Sequence, residues 1–77
     1  MAIFKVRQSF IPVIYSDYLN DLKFCNYFFE KNSLALFLKE ETISNVMVVK
    51  LYNFSNSRIG YLYSRNTHLI EKIKNHK

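Results

Sequence analysis

Apolar and polar positions alternate most clearly from Leu34 onward, where Leu34, Leu36 and Leu38 interleave with Ala35, Phe37 and Lys39. This period of two predicts a strand with one buried face, because successive side chains of an extended chain point to opposite sides. Val46 to Phe54 is β-branched and aromatic on both parities, the composition of a strand covered on both sides. Asn53, Ser55, Asn56 and Ser57 then predict a hairpin turn, since their short polar side chains bond to nearby backbone and tolerate turn dihedrals. Arg58 to Tyr63 returns as a third strand.

Ahead of this unit, Ile3 to Tyr15 is rich in β-formers, and Pro12 makes its second half an edge or a bend because proline cannot donate to a ladder. Tyr18, Leu22, Cys25 and Phe29 recur at helical spacing, with Leu19 and Phe28 beside them. Ser16 is placed as an N-cap, with Asp17 and Asp21 in the first turns and Lys31 at the end, complementing a helix dipole. A second helix is expected from about Asn66 to Asn75, burying Leu69, Ile70 and Ile73. The expected fold is therefore α+β: one small, mainly antiparallel, barrel-like domain over residues 1–77 with the order strand-helix-strand-strand-strand-helix.

Gly60 is the chain's only glycine and falls inside the third strand. Glycine there weakens a strand, so the position calls for a bare backbone, either against a packed neighbouring segment or against a ligand.

The order of these pieces resembles the HIRAN domain. Leu34, Leu36, Lys39 and Glu40 are similar to its first strand motif, Asn45 to Val49 to its second, and Ile59, Gly60, Tyr61, Leu62 and Arg65 to its I-G-Y-L/I-x-R motif before a helix. The resemblance spans Leu34 to about Ile73, roughly half the chain. It implies a compact β barrel that binds DNA, in some family members by capturing single-stranded 3′ ends. Only Glu41, Thr42, Ile43 and Ser44 separate Glu40 from Asn45, without the Pro, Tyr and Asp of the family's N-P-Y-D loop. The end-capture role is therefore not carried over.

Charge sharpens the functional expectation. Of the net +5, residues 58 to 77 carry +4, through Arg58, Arg65, Lys72, Lys74 and Lys77 against Glu71. A basic surface suits phosphate without specifying it. On an extended third strand, Ile59, Tyr61 and Tyr63 share one face and Arg58, Gly60 and Leu62 the other. If Leu62 points inward, the tyrosines point outward, where aromatics beside cations can stack unpaired bases. The expected nucleic-acid-binding set is Arg58, Tyr61, Tyr63, Arg65, Lys72 and Lys74, with DNA, single-stranded by preference, as partner.

Catalysis, metal binding and cofactors are not expected. His68 and His76 have no Cys, Asp or Glu at ligand spacing, and adjacent Glu40 and Glu41 point to opposite sides of a strand, poor geometry for paired acid–base work. One glycine cannot build a phosphate-cradling loop. Cys25 alone forms no internal disulfide and reads as a buried thiol on the first helix, in keeping with a reducing compartment. No long apolar run suggests a membrane span, and Lys5 and Arg7 interrupt the stretch where a signal peptide would be most apolar, so a cytoplasmic location is expected. The alternative reading is an inhibitor encoded by a phage or mobile element, of anti-CRISPR or anti-restriction type, which binds a host nucleoprotein complex through the Tyr and Phe residues that interfaces favour. A homodimer that hides its aromatics is a third arrangement.

Overall fold

In a computed structural model, which describes residues 2–75, with side chains to Ile73, the chain runs through seven strands and one short 3-10 helix. The strands are β1 (Ala2–Val6), β2 (Val13–Ser16), β3 (Asp21–Phe24), β4 (Leu34–Ile43), β5 (Val46–Asn53), β6 (Arg58–Tyr63) and β7 (Ile70–Asn75). The 3-10 helix, Ser64–Leu69, is kinked at Asn66. All strands join one open sheet in the order β3-β2-β6-β5-β4-β1-β7, with every pairing antiparallel. No helix among the described residues is long and apolar enough to cross a membrane.

This overturns the expected α+β barrel. The first expected helix is instead a turn over residues 17–20, β3 and an irregular segment. Asn20 lies at φ 53° and Asn32 at 71°, left-handed conformations that interrupt a helix. Ser16 ends β2, and its Oγ accepts a 3.3 Å hydrogen bond from Leu19 N–H, closing a turn rather than capping a helix. Tyr, Phe, Cys and Asn crowd this segment and are mediocre helix formers, so cross-strand bonds win. Cys25 accordingly lies just past β3, half-buried, with its N–H bonded to the carbonyl of Pro12.

The second expected helix is replaced by the 3-10 helix and β7. The edge of β1 offers a ladder that the helix would have left unpaired, and it places Ile70 against Val6 and Glu71 opposite Lys5. β-Branched Ile70 and an opposite-charge cross-strand pair both favour the extended form.

The three-strand centre is a meander. Ser44 and Asn45 both have positive φ, as a two-residue I′ hairpin turn requires. The β5–β6 turn is held by Asn53 Oδ1 accepting from Ser55 N–H and Asn56 Oδ1 accepting from Arg58 N–H. The sheet buries one cluster, Val6, Phe10, Phe29, Ala35, Val49, Leu51, Leu62 and Ile70. Phe10 and Phe29, from two loops, exchange backbone hydrogen bonds and stack at 5.0 Å between centroids, so the loops close the core that helices would otherwise cover.

Two details re-aim side chains. In β4 the buried face belongs to Ala35 and Phe37, while Leu34 is exposed. A bulge between Phe37 and Lys39 then flips the remainder of the strand. An extra residue in one strand shifts all later side chains to the other face, so Lys39 and Glu41 leave the core side and pair opposite Lys50 and Val48.

Candidate nucleic-acid interface

The alternation of β6 decides the site. Gly60 and Leu62 are buried and face Leu51 and Val49 across the ladder, so Ile59, Tyr61 and Tyr63 point to the opposite, outer face. There Tyr61 stands opposite Lys50 of β5 and Val13 of β2, and Tyr63 opposite Val48. Lys39 and Glu41, delivered by the bulge, complete the row beyond β5.

Arg65, in the 3-10 helix, holds its guanidinium 4.9 Å from the Tyr63 ring centroid, within cation–π range. Lys39, Lys50, Tyr61, Tyr63 and Arg65 thus form one strip in which two tyrosine rings lie between a lysine pair and an arginine. Two open grooves flank it near the β4–β5 turn. One, of about 410 Å³, is lined by Asn45, Val46, Met47, Tyr63, Ser64 and Arg65. The other, of about 400 Å³, is lined by Tyr15, Glu41, Thr42, Ile43, Ser44 and Tyr61.

Glu41 gives the strip its one negative charge. Its Oε2 is enclosed and makes an ion pair with Lys39 Nζ at 3.2 Å. Burial raises the Tyr61 hydroxyl above its ordinary pKa; Glu41 adds to the rise and Lys39 opposes it. Tyr61 is therefore a neutral donor across the physiological range.

The expected binding residues divide. Tyr61, Tyr63 and Arg65 come together. Arg58 lies on the other face, with its guanidinium 5.1 Å from the Tyr27 ring centroid. Lys72 is exposed on β7, four ladder steps from β6, and Lys74 is on the same edge strand, its side chain outside the described residues. Lys39, Lys50, Glu41 and Tyr15 were not among the expected binding residues. Lys50 left a trace, as the one charge inside an otherwise apolar strand; Lys39 and Glu41 left none, because nothing local marks the bulge.

Gly60 has its explanation in packing. A Cβ there would lie 2.6 Å from Pro12 Cβ and 2.9 Å from Pro12 Cγ, so the neighbouring loop needs the bare backbone. Tyr27, on the Arg58 side, donates to the carbonyl of Ile59 at 2.6 Å. Burial pushes its hydroxyl up to about 12, with the Cys25 thiol adding to the shift and Arg58 opposing it.

Among the described residues no group of three His, Cys, Asp or Glu could hold a metal ion; His76 lies outside them. No family model, curated protein or solved structure matches the chain.

Proposed function

We propose that the protein is a non-enzymatic module that binds single-stranded DNA on the outer face of β4, β5 and β6. The observation that carries this reading is the outward placement of Tyr61 and Tyr63 between Lys50 and Arg65. Tyr61 and Tyr63 are half-buried beside the buried Val13 and Val48, and their remaining ring surface can stack bases while adjacent cations follow the phosphates, each stacked base contributing about 1–3 kcal/mol. Stacking needs unpaired bases, which favours single strands over duplex. The resemblance of Ile59, Gly60, Tyr61 and Leu62 to the HIRAN motif supports DNA as partner; the shortened loop leaves no basis for proposing 3′-end capture.

Fluorescence anisotropy of labelled single-stranded DNA, duplex DNA and single-stranded RNA tests the reading. Single-stranded DNA should bind most tightly, and the affinity should fall with salt. If Lys39, Lys50 and Arg65 each meet a phosphate, the logarithmic salt slope is about −2. Absence of binding at physiological salt sinks the proposal.

One observation favours the second reading, an inhibitor that binds a host nucleoprotein complex. Tyr18, Leu19 and Phe24 of the β2–β3 hairpin, and Phe28 beyond it, are all more than half exposed. Capture of a defined host protein that survives nuclease treatment, together with no DNA binding by the purified protein, would replace the first reading with this one.

A further inference from the structure

We infer that the free edge of β3 pairs with the β3 of a second copy, in an antiparallel register centred on Leu22. Among the described residues β3 ends the sheet, with β2 on one side only. The backbone orientation of this edge follows from one bond. Cys25 N–H donates to Pro12 O at 2.9 Å, immediately beyond the pair Val13 and Phe24. Hydrogen-bonded pairs alternate along an antiparallel ladder, so Cys25, Lys23 and Asp21 turn their backbone groups toward β2. Leu22 and Phe24 turn theirs to the open side.

Charge then selects the register. With Leu22 opposite the partner's Leu22, Asp21 stands opposite the partner's Lys23 and Lys23 opposite the partner's Asp21. These fall at non-hydrogen-bonded positions, where facing side chains approach most closely. Moving the register by two residues one way puts Lys23 opposite the partner's Lys23. Moving it the other way puts Asp21 opposite the partner's Asp21. The backbone orientation forbids odd shifts, so the Leu22-centred pairing is the neighbouring register without a like-charge clash.

The apolar side chains agree with this axis. Leu22 and Phe24 lie opposite Tyr15 and Val13, and so share their face. Phe24 is 66% exposed, and Leu19 and Tyr18, in the turn before β3, are 55% and 95% exposed. The two-fold axis through Leu22 brings that turn alongside the partner's Phe24 and Cys25. Three exposed apolar side chains of one small hairpin, with the half-buried Leu22, would thereby meet the same patch of the partner, as an isologous interface requires. In the monomer Asp21 Oδ1 accepts from the Leu22 N–H at 2.7 Å, which blunts the edge; in the dimer the partner's Leu22 carbonyl takes that N–H and frees Asp21 for the partner's Lys23.

The pairing does not depend on the proposed DNA binding. It would extend the outer face of one copy into that of the next, with the two basic strips on the same side of a joint sheet.

Sedimentation velocity of the full chain up to about 500 µM reads the association directly, since dimer population follows mass action. The wild type should move from monomer to dimer as concentration rises. Lys23→Asp, which sets acidic residues against acidic ones, should weaken the dimer at least about tenfold. The exchange Asp21→Lys with Lys23→Asp should restore it. In a Cys25→Ser background, Leu22→Cys should oxidise to an intermolecular disulfide, because hydrogen-bonded partners lie about 5.5 Å apart at Cα, within disulfide reach. Circular dichroism verifies that each variant keeps the wild-type fold. A chain that stays monomeric throughout overturns the proposal. So does a dimer indifferent to Lys23→Asp, or one that the charge exchange fails to restore.

Discussion

Gly60 and Pro12 are in contact so close that a single added carbon has no room: a Cβ at position 60 would sit 2.6 Å from the Pro12 Cβ, with Phe29 Cε1 a further 3.3 Å contact. Gly60 does not adopt positive φ, so the constraint is space rather than dihedral angle. This contact joins β6 to the loop that leads into β2, and it holds the core residue Phe29 over the sheet.

Gly60→Ala should therefore destabilise the fold by about 1–3 kcal/mol, the usual effect of overpacking a core. Gly60→Val should cost more. Urea denaturation measures both, and an alanine variant as stable as the wild type would show that the Pro12 loop yields freely.

Adjacent phenylalanines should behave differently. Phe29 is fully buried between Phe10 and the sheet, whereas Phe28 is 54% exposed. Phe29→Ala should cost about 3–5 kcal/mol. Phe28→Ala should change stability by about 0.5 kcal/mol or less. Chemical denaturation of the two variants checks the ranking, and equal losses would contradict the extended path of this segment.

Alkaline pH should weaken the fold through Tyr27. Its folded pKa is raised to about 12 from 10.0, so the native state holds the proton more tightly than the unfolded chain. The stabilisation is fully present below pH 10 and is lost as pH rises from there toward 12. Tyr61, raised in the same direction, adds to the trend. Tyr27→Phe should flatten this limb of the stability profile while losing the bond to Ile59, at about 1 kcal/mol near neutrality. Stability measured against pH for both proteins, with tyrosinate absorbance followed alongside, provides the comparison.

Binding should follow the face of the sheet. Tyr61→Ala and Lys50→Glu alter the outer strip, whereas Arg58→Glu changes the same charge by the same amount on the reverse side beside Tyr27. Tyr61→Ala should weaken single-stranded DNA binding about tenfold, the equivalent of one modest stacking contact. Lys50→Glu should also reduce the salt slope, and Arg58→Glu should have a much smaller effect than Lys50→Glu. Equal effects of Lys50→Glu and Arg58→Glu in anisotropy titrations would indicate attraction by net charge alone.

The central meander was legible because its information is local. Alternation, β-branching and the Asn/Ser turn all lie within a few residues of what they determine, and the single Gly60 marked a close approach before its neighbour was known. The two expected helices failed for a shared reason. Apolar residues three or four apart, such as Tyr18, Leu22 and Cys25, satisfy a helical stripe but do not require one. Whether they coil or extend depends on which backbone partners are within reach, and β2 and the edge of β1 supplied strands.

From its residues alone the chain determined three consecutive strands, their turns and the pairing of Tyr61 with Tyr63 on one face, since a period of two is a property of extended backbone itself. Tertiary structure decided which face met the core, through Leu62 against Val49 and Gly60 against Leu51. It also separated Arg58 from Tyr61 and brought in Lys39 through the bulge and Lys50 through the ladder. Burial and cross-strand register depend on residues distant in sequence, and a one-residue bulge reverses faces without changing the composition around it.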